Sequence, residues 1–196
     1  MNPAHLHRLT LLDRLLGMRF IHRQLAAAAL AIASLVLVAG SPAAAQTLSN
    51  VFLKIDGIEG ESVHEGHEGE IDIDSWSLGA GAGTGGKPTF QDLHFSKHVD
   101  KASPKLLESV ANGKHYKSAV LTAEKPGDRP HQYLTITLED VLISSFFTNQ
   151  DSSDLPTESV TINFAKITYI YTPQRVDGTA DVPIRTCWDI KANRAC

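Results

Sequence analysis

From residue 51 onward the chain is written mostly in a two-residue hydrophobic period. VFLKI (51–55) alternates apolar and other residues and stops at Asp56-Gly57, a turn signal. EIDIDSWSL (70–78) alternates strictly, which puts Ile71, Ile73, Ser75 and Ser77 on one face and the acids with Trp76 on the other. TFQDLHFSKHV (89–99), SAVLTAEK (118–125), HQYLTITLEDVLISSFFTN (131–149) and ESVTINFAKITYIYTP (158–173) are further strands by the same reading. They are dense in the β-branched and aromatic side chains that pleated surfaces favour. DKASPKLLESVANGKHY (100–116) departs from the period. Ser103 is placed to cap a helix, Pro104 to open it, and Gly113 to end it, with Leu106, Leu107 and Val110 as its apolar face. One short helix among many strands predicts a mainly β fold, a sandwich or barrel rather than a parallel α/β sheet. Closing such a sheet also removes adhesive edges.

The first 45 residues do not share this pattern. Arg8, Arg14, Arg19 and Arg23 precede the apolar run LAAAALAIASLVLVAG (25–40), and SPAAAQ follows it. A basic region, an apolar core and an Ala-x-Ala ending predict a secretory leader over 1–45, cleaved between Ala45 and Gln46. The apolar run falls short of the about 20 residues that a spanning helix needs, which argues against a retained membrane anchor. Met18, followed by RFIHRQ, offers an alternative start with a more usual leader length. Residues 46–196 then form a single domain.

Charge narrows the function classes. The whole chain carries a net −4; without the leader's four arginines and one aspartate the remainder carries −7. Nucleic-acid binding demands a basic footprint and is set aside. Both cysteines, Cys187 and Cys196, lie in the closing TCWDIKANRAC. In an exported protein the first reading is one disulfide between them, pinning a tail that would otherwise fray. Two free thiols, or a link between chains through Cys196, are the alternatives.

Three stretches tempt a chemical reading. GAGTGGKP (81–88) has the spacing of a phosphate-binding loop, but Pro88 stands where Ser or Thr should bind magnesium and open a helix. It reads instead as a Gly-rich connection between strands. HEGHEGE (64–70) sets His64 and His67 three residues apart among glycines, which fits neither the helical spacing of a zinc protease nor a helix at all. His64 and His67 stay as remote metal candidates, with His94 and His98 as further ligands should a neighbouring strand bring them close. A structural zinc site wants four ligands, and no cysteine completes this set. No G-x-S-x-G occurs, and Ser144, Ser145, Ser152 and Ser153 read as turn or strand-end residues. Neither an enzyme nor a cofactor is expected.

Several blocks taken in order resemble one family. VFLKIDGIEGES, GEIDIDSWSLG, FSKHVDKASPKLLESVANGKHY, KSAVLTAEKPG, YLTITLEDVLISSFF, LPTESVTINFAKITYIYTPQ and CWDIKANRAC together resemble the hemolysin-coregulated protein (Hcp) family of type VI secretion. The most specific are DKASPKL (100–106), LEDVLIS (138–144) and NFAKI (163–167). The resemblance implies a compact β-barrel of two sheets with one short α-helix at its side. It further implies a homo-hexameric ring, stacked into the tube of a contractile injection machine, that carries effectors or meets spike proteins and is itself released. Interfaces of such rings are heterologous, closing by rotation or stacking into filaments. The leader departs from the family, whose tube proteins are loaded from the cytoplasm. Two readings follow: a type VI tube or effector-type protein, and a paralogue exported by the general pathway as a periplasmic or extracellular binding module.

Overall fold

The computed structural model describes residues 50–127, 129–150 and 155–196. The leader, its Ala45–Gln46 cleavage site, Ser152 and Ser153 lie outside the described residues. Among the described residues there are twelve strands and one α-helix: β1 (Asn50–Ile55), β2 (Ile71–Asp72), β3 (Ser75–Ser77), β4 (Ala80–Gly81), β5 (Thr89–Phe90), β6 (Leu93–His98), α1 (Ser103–Asn112), β7 (His115–Lys125), β8 (His131–Asn149), β9 (Thr157–Asn163), β10 (Lys166–Tyr171), β11 (Ile184–Asp189) and β12 (Arg194–Ala195). The main sheet runs β12-β11-β10-β8-β7-β1-β2, and a branch leads from β8 through β9 and β6 to β3. All its pairings are antiparallel, and β4 and β5 form a separate two-stranded ribbon.

β8 is the strand that both arms share. Its first half pairs with β10, from Leu134 to Glu139, and its second half pairs with β9, from Leu142 to Asn149. The change of partner falls at Asp140, whose φ of 53° is a left-handed conformation unusual outside glycine. That reversal bends the strand from one arm of the sheet to the other. The Asp140 carboxylate accepts bonds from His115 Nδ1 at 2.8 Å and from Lys191 Nζ. Lys191 first, then His115, hold its acid below the usual aspartate range.

The expected barrel is a wrapped sheet without one continuous ladder. EIDIDSWSL is not a single strand: it breaks into β2 and β3, and the backbone N–H groups of Ile73 and Asp74 go to Val51 O on β1 and Ser96 O on β6. The break shifts the alternation. Ile71 and Ile73 are buried, whereas Ser75 and Ser77 are exposed and Trp76 turns toward the core. The expected common face of Ile71, Ile73, Ser75 and Ser77 is therefore corrected. Two other expected strands divide in the same way, TFQDLHFSKHV into β5 and β6 and ESVTINFAKITYIYTP into β9 and β10, where Phe164 drops into the core.

Core side chains come from alternate positions of each strand: Leu53 and Ile55, Leu93 and Phe95, Leu121 and Ala123, Ile136 and Leu138, Val160 and Ile162. α1 covers this core against β8 through Leu106, which is fully buried, with Ala102 and Ser109 beside it. Leu107, assigned to the same face by the sequence reading, is 55% exposed. Ser103 is not the cap either; it is the first helical residue, and Asp100 Oδ1 accepts the Ala102 N–H at 2.9 Å. Gly113 ends the helix as expected, with φ 64° and its N–H on Ser109 O.

Candidate functional site

Three features stand out: a buried ion-pair network in the core, a histidine–glutamate cluster on the opposite face of β1 and β7, and an apolar groove beside β11. The first follows from strand phase. Lys97 shares the inward face of β6 with Leu93 and Phe95, so its side chain enters the core and is fully buried. Its cross-strand partner on β9 is Glu158, 2% exposed. Lys97 Nζ donates to Glu158 Oε2 at 2.8 Å, to His98 O at 2.7 Å and to Ser103 Oγ at 3.1 Å, with Asp100 Oδ1 at 2.7 Å. Ser103 Oγ donates to the same Glu158 oxygen at 2.7 Å and accepts the Asp100 N–H. The start of α1 is thus tied to β6 and β9 through one ammonium group.

The second feature is HEGHEGE. Its chain folds back over the outer face of β1, where Phe52 points away from the main core. Gly66 and Gly69 adopt left-handed φ values of 87° and 76° that make the return possible. Ser62 O accepts the Gly69 N–H and His64 O the His67 N–H, closing the loop on itself. His67 lies flat on Phe52, with ring centroids 4.1 Å apart and planes 8° apart, and His64 stacks on the same ring at 4.8 Å. Glu124 of β7 receives both histidines, His67 Nε2 at 3.1 Å and His64 Nε2 at 3.3 Å, while His67 Nδ1 meets Glu70 at 2.7 Å.

His64 and His67 are therefore brought together, but each ring nitrogen in contact faces a carboxylate oxygen of its own. Among the described residues no group of three or more His, Cys, Asp and Glu side chains is arranged to hold a metal ion. His94 and His98 do not join them: His94 bonds Thr161 Oγ1 at 3.2 Å and His98 lies 3.8 Å from Asp74. Glu124 was not foreseen because SAVLTAEK shows no period that separates it from its apolar neighbours. Lys97 could have been read from its phase with Leu93 and Phe95.

The third feature is a groove of about 600 Å3 between the β4–β5 ribbon and the sheet. Leu78, Pro88, Phe90, Ile167, Tyr169 and Trp188 form most of its wall. GAGTGGKP supplies its glycine-rich lip, so it is the connection between strands that the sequence predicted. The indole N–H of Trp188 is buried with no hydrogen-bond partner among the described residues. Tyr171 and Ile184, paired across β10 and β11, extend this apolar surface outward. Cys187 within β11 and Cys196 just after β12 form a disulfide with Cα atoms 5.4 Å apart, closing the β11–β12 hairpin. Ser144 and Ser145 sit within β8 and not at its end; Ser144 Oγ donates to Asp92 at 2.8 Å and Ser145 Oγ to Thr161 Oγ1 at 2.8 Å. Both hydroxyls serve strand packing.

By class this is a mainly β domain: a wrapped antiparallel sheet with, among the described residues, one flanking helix, internally paired polar clusters and an open apolar groove. Comparison with known proteins makes this specific. The family described as "Type VI secretion system effector, Hcp" matches residues 52–171. Protein Hcp1 of Pseudomonas aeruginosa is 40% identical over 156 residues, an alignment covering 74% of this chain and 96% of that protein. The crystal structure of Hcp1 from Salmonella typhimurium is similar with a TM-score of 0.65 at 31% identity, covering 76% of this chain and 99% of that one. A type VI secretion system effector from Yersinia pestis gives a TM-score of 0.62 at 32% identity, over 71% and 98% of the two chains. The chain belongs to the Hcp family and is a type VI secretion structural or effector-carrier protein. Family membership favours this role over an independently exported binding module.

Proposed function

We propose that this chain is a non-catalytic subunit of the type VI tube that closes into a homo-hexameric ring and carries effectors in its lumen. The observation that supports this reading is the 40% identity spanning 96% of the Pseudomonas Hcp1. The ring needs apolar surface left open by the monomer fold, and the groove with Tyr169, Tyr171 and Ile184 offers such a surface. Sedimentation of the purified protein at micromolar concentration tests the ring: a six-fold mass is expected, and a monomer throughout would refute it. Stacking of rings with −7 per subunit strengthens as salt rises, because screening relieves like-charge repulsion.

Residues 1–45 are proposed as a leader cleaved after Ala45, and the Cys187–Cys196 bridge as forming in oxidising surroundings. One experiment weighs leader against tube: N-terminal sequencing of released protein from wild-type cells and from cells lacking the type VI sheath. Loss of release without the sheath supports the tube role. Release that is unchanged, with a start at Gln46, would establish independent export.

A further inference from the structure

The cluster around His67 carries an inference separate from assembly. A carboxylate can only accept hydrogen bonds, and a neutral imidazole has a single N–H to donate. His67 presents both ring nitrogens to carboxylates, Nδ1 to Glu70 Oε2 at 2.7 Å and Nε2 to Glu124 Oε1 at 3.1 Å. Satisfying both contacts takes two N–H groups. We propose that His67 is held as an imidazolium between Glu70 and Glu124, and that this proton latches the loop 60–70 onto β1 and β7.

The surroundings agree with a charge at this position. Phe52 offers its ring face to His67 at 4.1 Å, the geometry that attracts a cation to a π-system. Phe52 is uncharged, so from β1 the nearest charged group is Lys54, which lines a cavity with Glu68 and Glu70. β2 contributes Asp72, the cross-strand neighbour of Phe52, and the loop itself adds His64, Glu65 and Glu68. β7 contributes Glu124, shared with His64. Acids outnumber bases around the ring, and two of them touch it. Burial pushes the His67 pKa down, but hydrogen bonds and charge attraction from Glu70 and Glu124 outweigh it, leaving the value above the ordinary 6.5.

The sign of the linkage follows. A group whose folded pKa is raised stabilises fully below its unfolded pKa, and that stabilisation is lost as pH rises through the folded value. The latch is therefore closed below the ordinary histidine value of 6.5 and is released as pH rises through the raised folded value. Release leaves a ring nitrogen lone pair against a carboxylate and uncovers Phe52. Val63, 91% exposed, rides on the same loop and would move with it.

The test is a pH titration of the full chain labelled with 15N-histidine, following the ring nitrogens of His67 by long-range 1H–15N correlation. Both nitrogens are expected at imidazolium positions at pH 6, with a titration midpoint above 6.5. Glu124→Gln keeps the shape of the acceptor but removes its charge, and should move that midpoint down while the chain stays folded. His67→Gln should leave the loop amides of residues 62–69 insensitive to pH between neutral and mildly alkaline conditions. A neutral His67 tautomer at pH 6, or a midpoint that Glu124→Gln does not move, would overturn the proposal. So would stoichiometric Zn2+ binding lost on His67→Ala, since a metal requires a ring nitrogen free of its proton.

Discussion

Replacing Lys97 by Met isolates the energetics of the core network. The substitution roughly preserves side-chain volume and removes the ammonium, leaving Glu158, 2% exposed, and the largely buried Asp100 without their cation. Removing one partner of a buried pair costs about 3–5 kcal/mol, mostly because the other charge is stranded away from water. That is a large share of the about 5–15 kcal/mol that a domain possesses. With a urea slope of about 2 kcal/mol/M, the unfolding midpoint should fall by about 2 M. The double variant Lys97→Met with Glu158→Leu removes the two most deeply buried charges and leaves only Asp100 without its cation, so it should recover part of the loss, since a well-packed apolar pair substitutes for a buried ion pair at little cost. The assay is urea unfolding of both variants at pH 7, at a protein concentration where sedimentation shows one species. A single variant costing under about 1 kcal/mol, or a double variant as unstable as the single, would refute the view that charge stranding dominates here.

Three further outcomes follow from the same reasoning. Leu106→Ala should cost about 2–5 kcal/mol because the side chain is fully buried, whereas Leu107→Ala at 55% exposure should stay within about 0.5 kcal/mol; urea midpoints of the two separate the faces of α1. Gly60→Ala would place a methyl group 2.1 Å from Glu70 O, a backbone atom that cannot swing aside, so loss of the paired turn should appear in the amide shifts of residues 60–70. Cys187→Ala with Cys196→Ala opens a loop whose closure is worth about 2–3 kcal/mol in the chain-entropy model, and amide exchange should rise first in β11 and β12.

Much of this architecture was readable in the chain. HQYLTITLEDVLISSFFTN is β8 end to end, and Gly113 stops α1 by the left-handed turn that its missing side chain permits. What escaped was phase. A two-residue period cannot reveal that the backbone breaks at Ile73–Asp74 and resumes facing the other way, because the break is set by which neighbour, β1 or β6, accepts the next N–H. Helical spacing likewise left Leu107 beside Leu106, and only the packing of α1 against β8 separates the buried one from the exposed one. The histidine cluster was half legible. The spacing of His64 and His67 was visible, but the acid that joins them is 57 residues beyond His67, on a strand whose lateral neighbour no local pattern names. The groove wall at Trp188 was hidden for the same reason, since β11 enters the sheet only by pairing with β10.

The bend of β8 at Asp140 also has a mechanical meaning. Because one covalent strand belongs to both arms of the sheet, a load that crosses the ladder from β9 into β8 runs along the β8 backbone before it crosses to β10. The bend at Asp140 is thus the point where load passes from one arm to the other. In the proposed tube role that continuity would be under load, and in this chain it passes through a single aspartate.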